Sequence, residues 1–346
     1  MRKLGQIEVS PIGIGCMGFS HGYGQVPDQK TALESIQAAH DFGCTLFDTA
    51  ETYGREQFFP GHNEQLVGQA VKDFRHQIVL ASKIHIATDE YRQDGDLYQT
   101  IKRHLVHSLA NLQTDYLDLY YLHRYNEDIP MVEVAKVMGQ LIKEGLISGW
   151  VVSQVGLDLI KTAHETTPLS AVQNIYNMVE RDSETDVIPY CQKMGIGFVP
   201  FSPIASGLLS GKVTTQTKFT GDDVRKFVPQ LQPDNLKANQ PIVDLLSRFS
   251  KLKQATNAQI PLALMLKKYP NVVPIPGSKN RERILENLGA WEVNLTDDEF
   301  TQLDQTLNKL TVYGHRGNEE SQQHSFSANW RKPRWHTELV HIFWIK

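Results

Sequence analysis

The sequence has too little cysteine to staple itself. Cys16, Cys44 and Cys191 are its only three in 346 residues, with neither a CxxC pair nor a metal-ligand spacing, which argues for isolated buried thiols rather than a disulfide framework. It also lacks any run of about 18 apolar residues, and residues 1–10 alternate polar and apolar side chains where a secretory leader would carry an apolar core. A cytoplasmic location is expected, with no membrane as partner. Charge of one sign is missing too: 35 basic against 39 acidic side chains leave a net charge of −4 with no long block of either sign. Composition therefore offers no footing for nucleic acid or an anionic surface.

What is present is a large apolar fraction in a repeating order. Hydrophobic residues make up 40% and charged residues 21%, enough to bury a sizeable core. Short runs rich in β-branched residues end near Gly15, Asp48, Lys83, His123, Ser153, Gln173, Phe201 and Pro276. Helical periodicity fills the intervals at 29–42, 63–74, 97–112, 131–145, 157–165, 183–194, 259–268 and 281–289, with Gly43, Gly145 and Gly195 as stop signals. Eight strands, each followed by a helix, predict a single (β/α)8 TIM barrel over residues 1–312. Outside the repeat, residues 1–9 read as a hairpin turning at Gly5 that plugs the bottom of the barrel. Residues 203–257, after strand seven, form a long loop of lid type, helical at 241–255 and polar between 211 and 240. Residues 313–346 read as an irregular C-terminal extension with Trp330, Trp335 and Phe343 among polar residues.

Three patterns point elsewhere. Gly13-Ile-Gly-Cys-Met-Gly18 fits the GxGxxG fingerprint, but Pro11 interrupts the strand before it and the Phe19-to-Gly24 stretch cannot open a helix. Tyr98 and Lys102 mimic a YxxxK catalytic pair, yet their spacing also makes an exposed i, i+4 pair on one helix face. Thirteen histidines invite a metallohydrolase, but no HxH ends a strand, and His104 and His107 read as a solvated helix face.

Active sites of such barrels gather at the C-terminal ends of the strands. There the sequence places Asp48 with Tyr53 five residues on, then Lys83, then His123. Each alone has a bland reading as a loop carboxylate, a surface lysine or a satisfied histidine; their joint occurrence at three successive strand ends is informative. Reducing a carbonyl needs a proton delivered to oxygen, and a tyrosine of pKa about 10 is a reluctant donor unless tuned. A lysine beside it lowers its pKa, an aspartate orients the lysine, and a histidine polarises the carbonyl.

With these residues in place the chain resembles the aldo-keto reductase superfamily from Lys3 to about Gly314. The resemblance lies in Asp48-Thr-Ala-Glu-Thr-Tyr53-Gly, His62-Asn-Glu-Gln-Leu-Val-Gly68, Ala81-Ser-Lys83, Asp118-Leu-Tyr-Tyr-Leu-His123-Arg, Phe198-Val-Pro-Phe-Ser-Pro203 with Gly207-Leu-Leu-Ser-Gly-Lys212, and Pro274-Ile-Pro-Gly-Ser278 with Glu286-Asn287. It implies a tetrad of Asp48, Tyr53, Lys83 and His123, a small carbonyl substrate, and a nicotinamide cofactor bound without a Rossmann domain. By the same resemblance, Ser153 and Gln173 hold the carboxamide and Phe201 stacks on the ring. Ser202, Leu208, Ser210 and Lys212 line the pyrophosphate; Ser278 and Arg283 meet the 2′-phosphate, and Glu286 and Asn287 the adenine. A guanidinium at the 2′-phosphate favours NADP(H). Gln154 stands where relatives carry asparagine or glutamate, and Gly277 where some carry a lysine, leaving Lys279 as its substitute. A second function class on this fold is a cofactor-binding regulatory subunit of the potassium-channel β type; the complete tetrad favours catalysis.

Overall fold

The computed structural model describes residues 1–316, so Trp330, Trp335 and Phe343 lie outside the described residues. The chain opens with β1 (Arg2–Leu4) and β2 (Ile7–Val9), antiparallel with Arg2 opposite Val9. The turn between them puts Gly5 at φ +61°, a left-handed conformation that glycine adopts without a Cβ penalty. Then strands and helices alternate: β3 (Ile14–Gly15), α1 (Gln29–Asp41), β4 (Leu46–Asp48), α2 (His62–Val71), β5 (Val79–Ile84), α3 (Thr88–Asp94), α4 (Leu97–Leu112), β6 (Leu117–Leu122), α5 (Met131–Lys143), β7 (Ile147–Ser153), α6 (Leu157–Thr166), β8 (Ala171–Gln173), α7 (Val187–Met194) and β9 (Gly197–Phe198). After β9 come α8 (Pro233–Ala238), α9 (Gln240–Lys253), α10 (Gln259–Lys268), α11 (Arg281–Leu288) and α12 (Asp297–Leu307).

Local signals account for the helix ends. Asp28 accepts the Thr31 amide at 2.8 Å to cap α1, and Thr296 with Glu299 closes a capping box on α12, satisfying amides that have no partner inside the helix.

Strands β3 to β9 form one parallel sheet in sequence order. The eighth position is taken by residues 272–277, where Pro274 and Pro276 remove two ladder donors and prevent a regular strand. Closure is made instead by single contacts. Phe198 bridges Val272 and Gly15 bridges Gly277, while Val273 N donates to Phe198 O at 2.8 Å, Ile275 N to Pro200 O at 3.1 Å and Gly13 N to Pro274 O at 3.0 Å. The architecture is a (β/α)8 barrel with seven regular strands and one irregular one.

Strand parity decides what faces inward. Leu46, Val79, Ala81, Leu119, Tyr121, Val151, Ala171 and Val199 form one buried cluster with Leu4 and Val9 of the hairpin. Their sequence neighbours Phe47, Leu80, Tyr120, Leu122, Trp150, Val152, Val172 and Phe198 belong to the cluster shared with the helices. Side chains alternate with period two, so the next inward positions are Asp48, Lys83, His123, Ser153, Gln173 and Phe201. The hairpin lies at the opposite end: a Cβ on Gly197, which opens β9, would sit 2.9 Å from Leu4 Cα.

The fingerprint glycines lead into a short 3-10 turn at Met17–Phe19, as the missing helix signal requires. Three helix readings need correction. Helix α3 falls where no helix is predicted, and α8 falls in the stretch read as polar loop; both are short, seven and six residues, too short to show a helical period in the sequence. Helix α7 starts at Val187, four residues later than predicted, because Asp186 caps it.

Candidate active site

The three strand-end residues converge as parity requires. Asp48 closes β4 and lies opposite Ala81 of β5, Lys83 of β5 lies opposite Tyr121 of β6, and His123 follows β6, its amide donating to Ile84 O at 2.8 Å. The Lys83 ammonium, fully buried, donates to Asp48 Oδ1, to the Thr49 carbonyl at 2.7 Å and to the Tyr53 phenol oxygen at 3.4 Å. Three oxygen acceptors for three N–H donors is the condition under which a buried ammonium stays charged. Asp48 Oδ2 accepts Gln173 Nε2 at 3.0 Å. The His123 ring meets the Tyr53 ring edge-on, centroids 5.7 Å apart.

Tyr53 lies on a loop, and side chains that sequence reasoning passed over hold it there. Asn63, at the start of α2, accepts the Thr49 hydroxyl at 2.5 Å and donates to the Cys16 carbonyl at 3.0 Å and Ser20 Oγ at 2.7 Å. Two residues before Tyr53, Glu51 accepts the His85 amide at 2.8 Å and contacts His104 Nδ1 at 2.7 Å. The other nitrogen of His104 contacts Glu90 at 2.8 Å. His104 is therefore a loop anchor, not a solvated face residue. Its sequence neighbourhood carries no signal of this, because Glu51 is 53 positions away.

Electrostatics separate the groups. Burial raises the Tyr53 pKa; the Lys83 charge lowers it, as expected, but is outweighed, and the net direction is upward. The phenol is therefore held protonated. Burial also lowers the Lys83 pKa, but Asp48 and Tyr53 outweigh it and the net direction is up. For His123, burial together with Arg124 and Lys83 pushes the pKa well below 6.5, leaving a neutral imidazole.

The residues expected around a cofactor lie at the strand ends, on the long loop after β9 and on α11. Ser153 is buried and accepts Arg124 Nη1 at 3.2 Å. Phe201 and Ser202 are half-buried, with Ser202 in the left-handed region at φ +56°. Leu208 is buried, and Ser210 Oγ donates to Gly207 O at 2.6 Å. Lys212 reaches across to Glu286 of α11 at 3.0 Å, joining the long loop to the last helical unit. Ser278 lies just before α11, and the exposed Arg283 lies in its first turn. Asn287 is buried. Lys279 is turned away from this line, its ammonium on the carbonyls of Tyr23 and Gln25.

Other features lie apart. Tyr98, Lys102 and Glu144 form a surface trio, with Lys102 Nζ on Tyr98 OH at 2.6 Å and on Glu144 at 2.9 Å. A concavity of about 830 Å³ between α1, α2 and α4 is lined by Phe58, Phe59 and His62 rather than by the strand ends. Among the described residues no cluster of three or more His, Cys, Asp or Glu could hold a metal, and no helix is long and apolar enough to cross a membrane.

The inward strand ends of the barrel thus carry a buried Lys–Asp pair against a tyrosine and a histidine, the framework of an oxidoreductase. The sequence pattern of the Aldo/keto reductase family matches residues 11–308, and the chain belongs to that family. It is 32% identical over 320 residues to probable aldo-keto reductase 1 of Glycine max, covering 91% of this chain and 90% of that protein. The thermostable aldo-keto reductase Tm1743, solved with the inhibitor epalrestat, is 30% identical with a TM-score of 0.67, covering 88% of this chain and 98% of its own. An aldo/keto reductase of Klebsiella pneumoniae, solved with NADP and acetate, is 25% identical with a TM-score of 0.70, covering 91% and 97%.

Proposed function

We propose that the protein is an NADP(H)-dependent oxidoreductase that reduces aldehydes or ketones to alcohols, with Tyr53 as the proton donor. The observation that carries this reading is the Tyr53 phenol resting on the buried Lys83 ammonium, itself held by Asp48. Family membership and the NADP-bound relative from Klebsiella pneumoniae support the cofactor.

When bound, the nicotinamide supplies a hydride to the carbonyl carbon. As charge builds on the carbonyl oxygen, Tyr53 gives it the phenolic proton, and Lys83 stabilises the phenolate left behind. Asp48 fixes the lysine, and its second oxygen holds Gln173. His123, neutral under burial and its cationic neighbours, donates a ring N–H to the carbonyl oxygen and polarises it. A protonated imidazole there would compete with Tyr53 as proton source; lowering its pKa removes that competition.

The cradle fits the cofactor. Ser153 and Gln173 hold the carboxamide beside the tetrad, and Phe201 offers a ring to stack on. Ser202, Leu208, Ser210 and Lys212 follow the diphosphate. Ser278 and Arg283 receive the 2′-phosphate; Arg283 forms no ion pair among the described residues and stands in the first turn of α11, where the helix dipole also favours an anion. Glu286 and Asn287 border the adenine. Lys279 serves the phosphate only after leaving the Tyr23 and Gln25 carbonyls.

Tyr53→Phe tests the mechanism. A lost general acid lowers kcat by roughly 10²- to 10⁴-fold, with NADPH affinity retained. Near-native turnover of the variant on every aldehyde reduced by the native protein would overturn the role of Tyr53.

A further inference from the structure

Arg124, the residue after His123, helps to keep that imidazole neutral, but its guanidinium has a hydrogen-bonding edge that the reduction of a neutral carbonyl does not use. It is half-buried, and burial lowers its pKa to about 10, yet it forms no ion pair among the described residues. Nη1 is spent on neutral acceptors, the His123 carbonyl at 2.6 Å and Ser153 Oγ at 3.2 Å. Nε and Nη2 donate to nothing among the described residues and are not among the enclosed polar atoms left without a partner, so they keep access to solvent. That edge is the one that binds a carboxylate with two parallel hydrogen bonds. A second guanidinium raises the local positive charge. Arg316 donates from Nε to Ser202 Oγ at 2.8 Å and lies 5.7 Å from the Phe201 centroid, while Arg124 lies 6.0 Å from the same ring. Arg316, too, has no ion-pair partner among the described residues.

Two partly desolvated cations over one ring repel each other, and an anion beside either relieves the cost; Arg316 has the Glu180 carboxylate on its own amide at 2.6 Å, whereas Arg124 has no carboxylate partner among the described residues. The two differ in where they point. Arg316 stands on Ser202, on the side proposed for the diphosphate. Arg124 stands on Ser153 and His123, whose proposed partners, a carboxamide and a carbonyl, are both neutral. Its charge therefore answers to the substrate.

We propose that Arg124 forms an anion subsite beside the tetrad and that the substrates of this protein are carbonyl compounds carrying a carboxylate, bound by the Nε and Nη2 edge. This rests on the carbonyl-reductase reading and specifies its substrate class. The test uses the purified full chain. Reduction of 3- and 4-carboxybenzaldehyde is compared with that of 4-methylbenzaldehyde, in the native protein and in Arg124→Gln and Arg124→Lys. The expected result is a loss of kcat/KM in Arg124→Gln that is roughly 10- to 100-fold larger for the better carboxylated aldehyde than for the methyl compound, seen mainly in KM, with partial recovery in Arg124→Lys. Equal losses on charged and neutral aldehydes would overturn the proposal. So would a matching loss of NADPH affinity, which would assign Arg124 to the cofactor. A readout without turnover keeps the two readings apart: benzoate binding to the NADPH complex, followed by NADPH fluorescence. Benzoate bound by the native complex and lost in Arg124→Gln supports the subsite even if no aldehyde is reduced; benzoate bound equally by both, or by neither, overturns it.

Discussion

Two histidines of this chain are driven in opposite directions by their surroundings. Among the described residues no carboxylate pairs with His123, so burial and the charges of Arg124 and Lys83 keep it neutral. For His104 burial also lowers the pKa, but contacts with Glu51 and Glu90 outweigh it and raise the value to about 9. A folded-state pKa above the unfolded value means that the charged form stabilises the fold. That contribution is fully present below the unfolded value of about 6.5 and is lost as pH rises through about 9. His104→Gln should therefore lower Tm more at about pH 6 than at about pH 10, relative to the native protein at each pH. A constant Tm difference across that range, measured by thermal melts, would contradict a charged His104. Because Glu51 stands two residues before Tyr53, the same variant should also loosen the loop that carries the phenol. Sequence period places His104 on a helix; it does not reveal that the helix faces a carboxylate from a strand-end loop.

At the level of elements, the barrel is closed at one end by the hairpin and held open at the other. Strands β4 to β8 are ordinary in their alternation, and their inward polar ends could be read by counting in twos from the apolar positions. The irregularity of the eighth strand was written in its two prolines, which remove ladder donors, although the run stays apolar and fills its slot. At the bottom of the barrel the fit is tight. Leu4 is fully buried, and a methyl on Gly197 would meet its backbone at 2.9 Å. Gly197→Ala should cost roughly 1–3 kcal/mol through displacement of the hairpin. Denaturant titration measures this directly, and a neutral effect would mean the hairpin gives way freely. Because this packing lies at the far end from the tetrad, kcat of the folded fraction should stay near native.

Over the whole molecule, the long segment after β9 and helix α11 face each other across the strand ends, joined by Lys212 and Glu286. Asn239 adds a second tie, since its side chain donates to the Tyr313 carbonyl and accepts the Tyr313 amide, both at 2.9 Å. Between these ties the stretch around the exposed Lys218 has few buried side chains, the profile of a segment of low local stability. A ligand held between the segment and α11 stabilises the closed arrangement by mass action. Saturating NADPH should therefore slow tryptic cleavage at Lys218 severalfold, read by mass spectrometry of the fragments; unchanged cleavage would separate the loop from cofactor binding.

The amino-acid sequence alone determined the alternation of barrel strands and their covering helices, though not α3 or α8, the inward parity of Asp48, Lys83, His123, Ser153, Gln173 and Phe201, and the chemistry open to Tyr53. These follow from periodicities of two and 3.6 residues, which need only neighbours in the chain. The tertiary structure decided the rest: that Gln173 shares Asp48 with Lys83, that Asn63 and His104 hold the loop of Tyr53, that burial overrides Lys83 in setting the phenol's pKa, and that Arg124 has no carboxylate partner among the described residues. Each of these depends on which residues, tens to more than a hundred positions apart, meet when the barrel closes, and on how much water that closure removes.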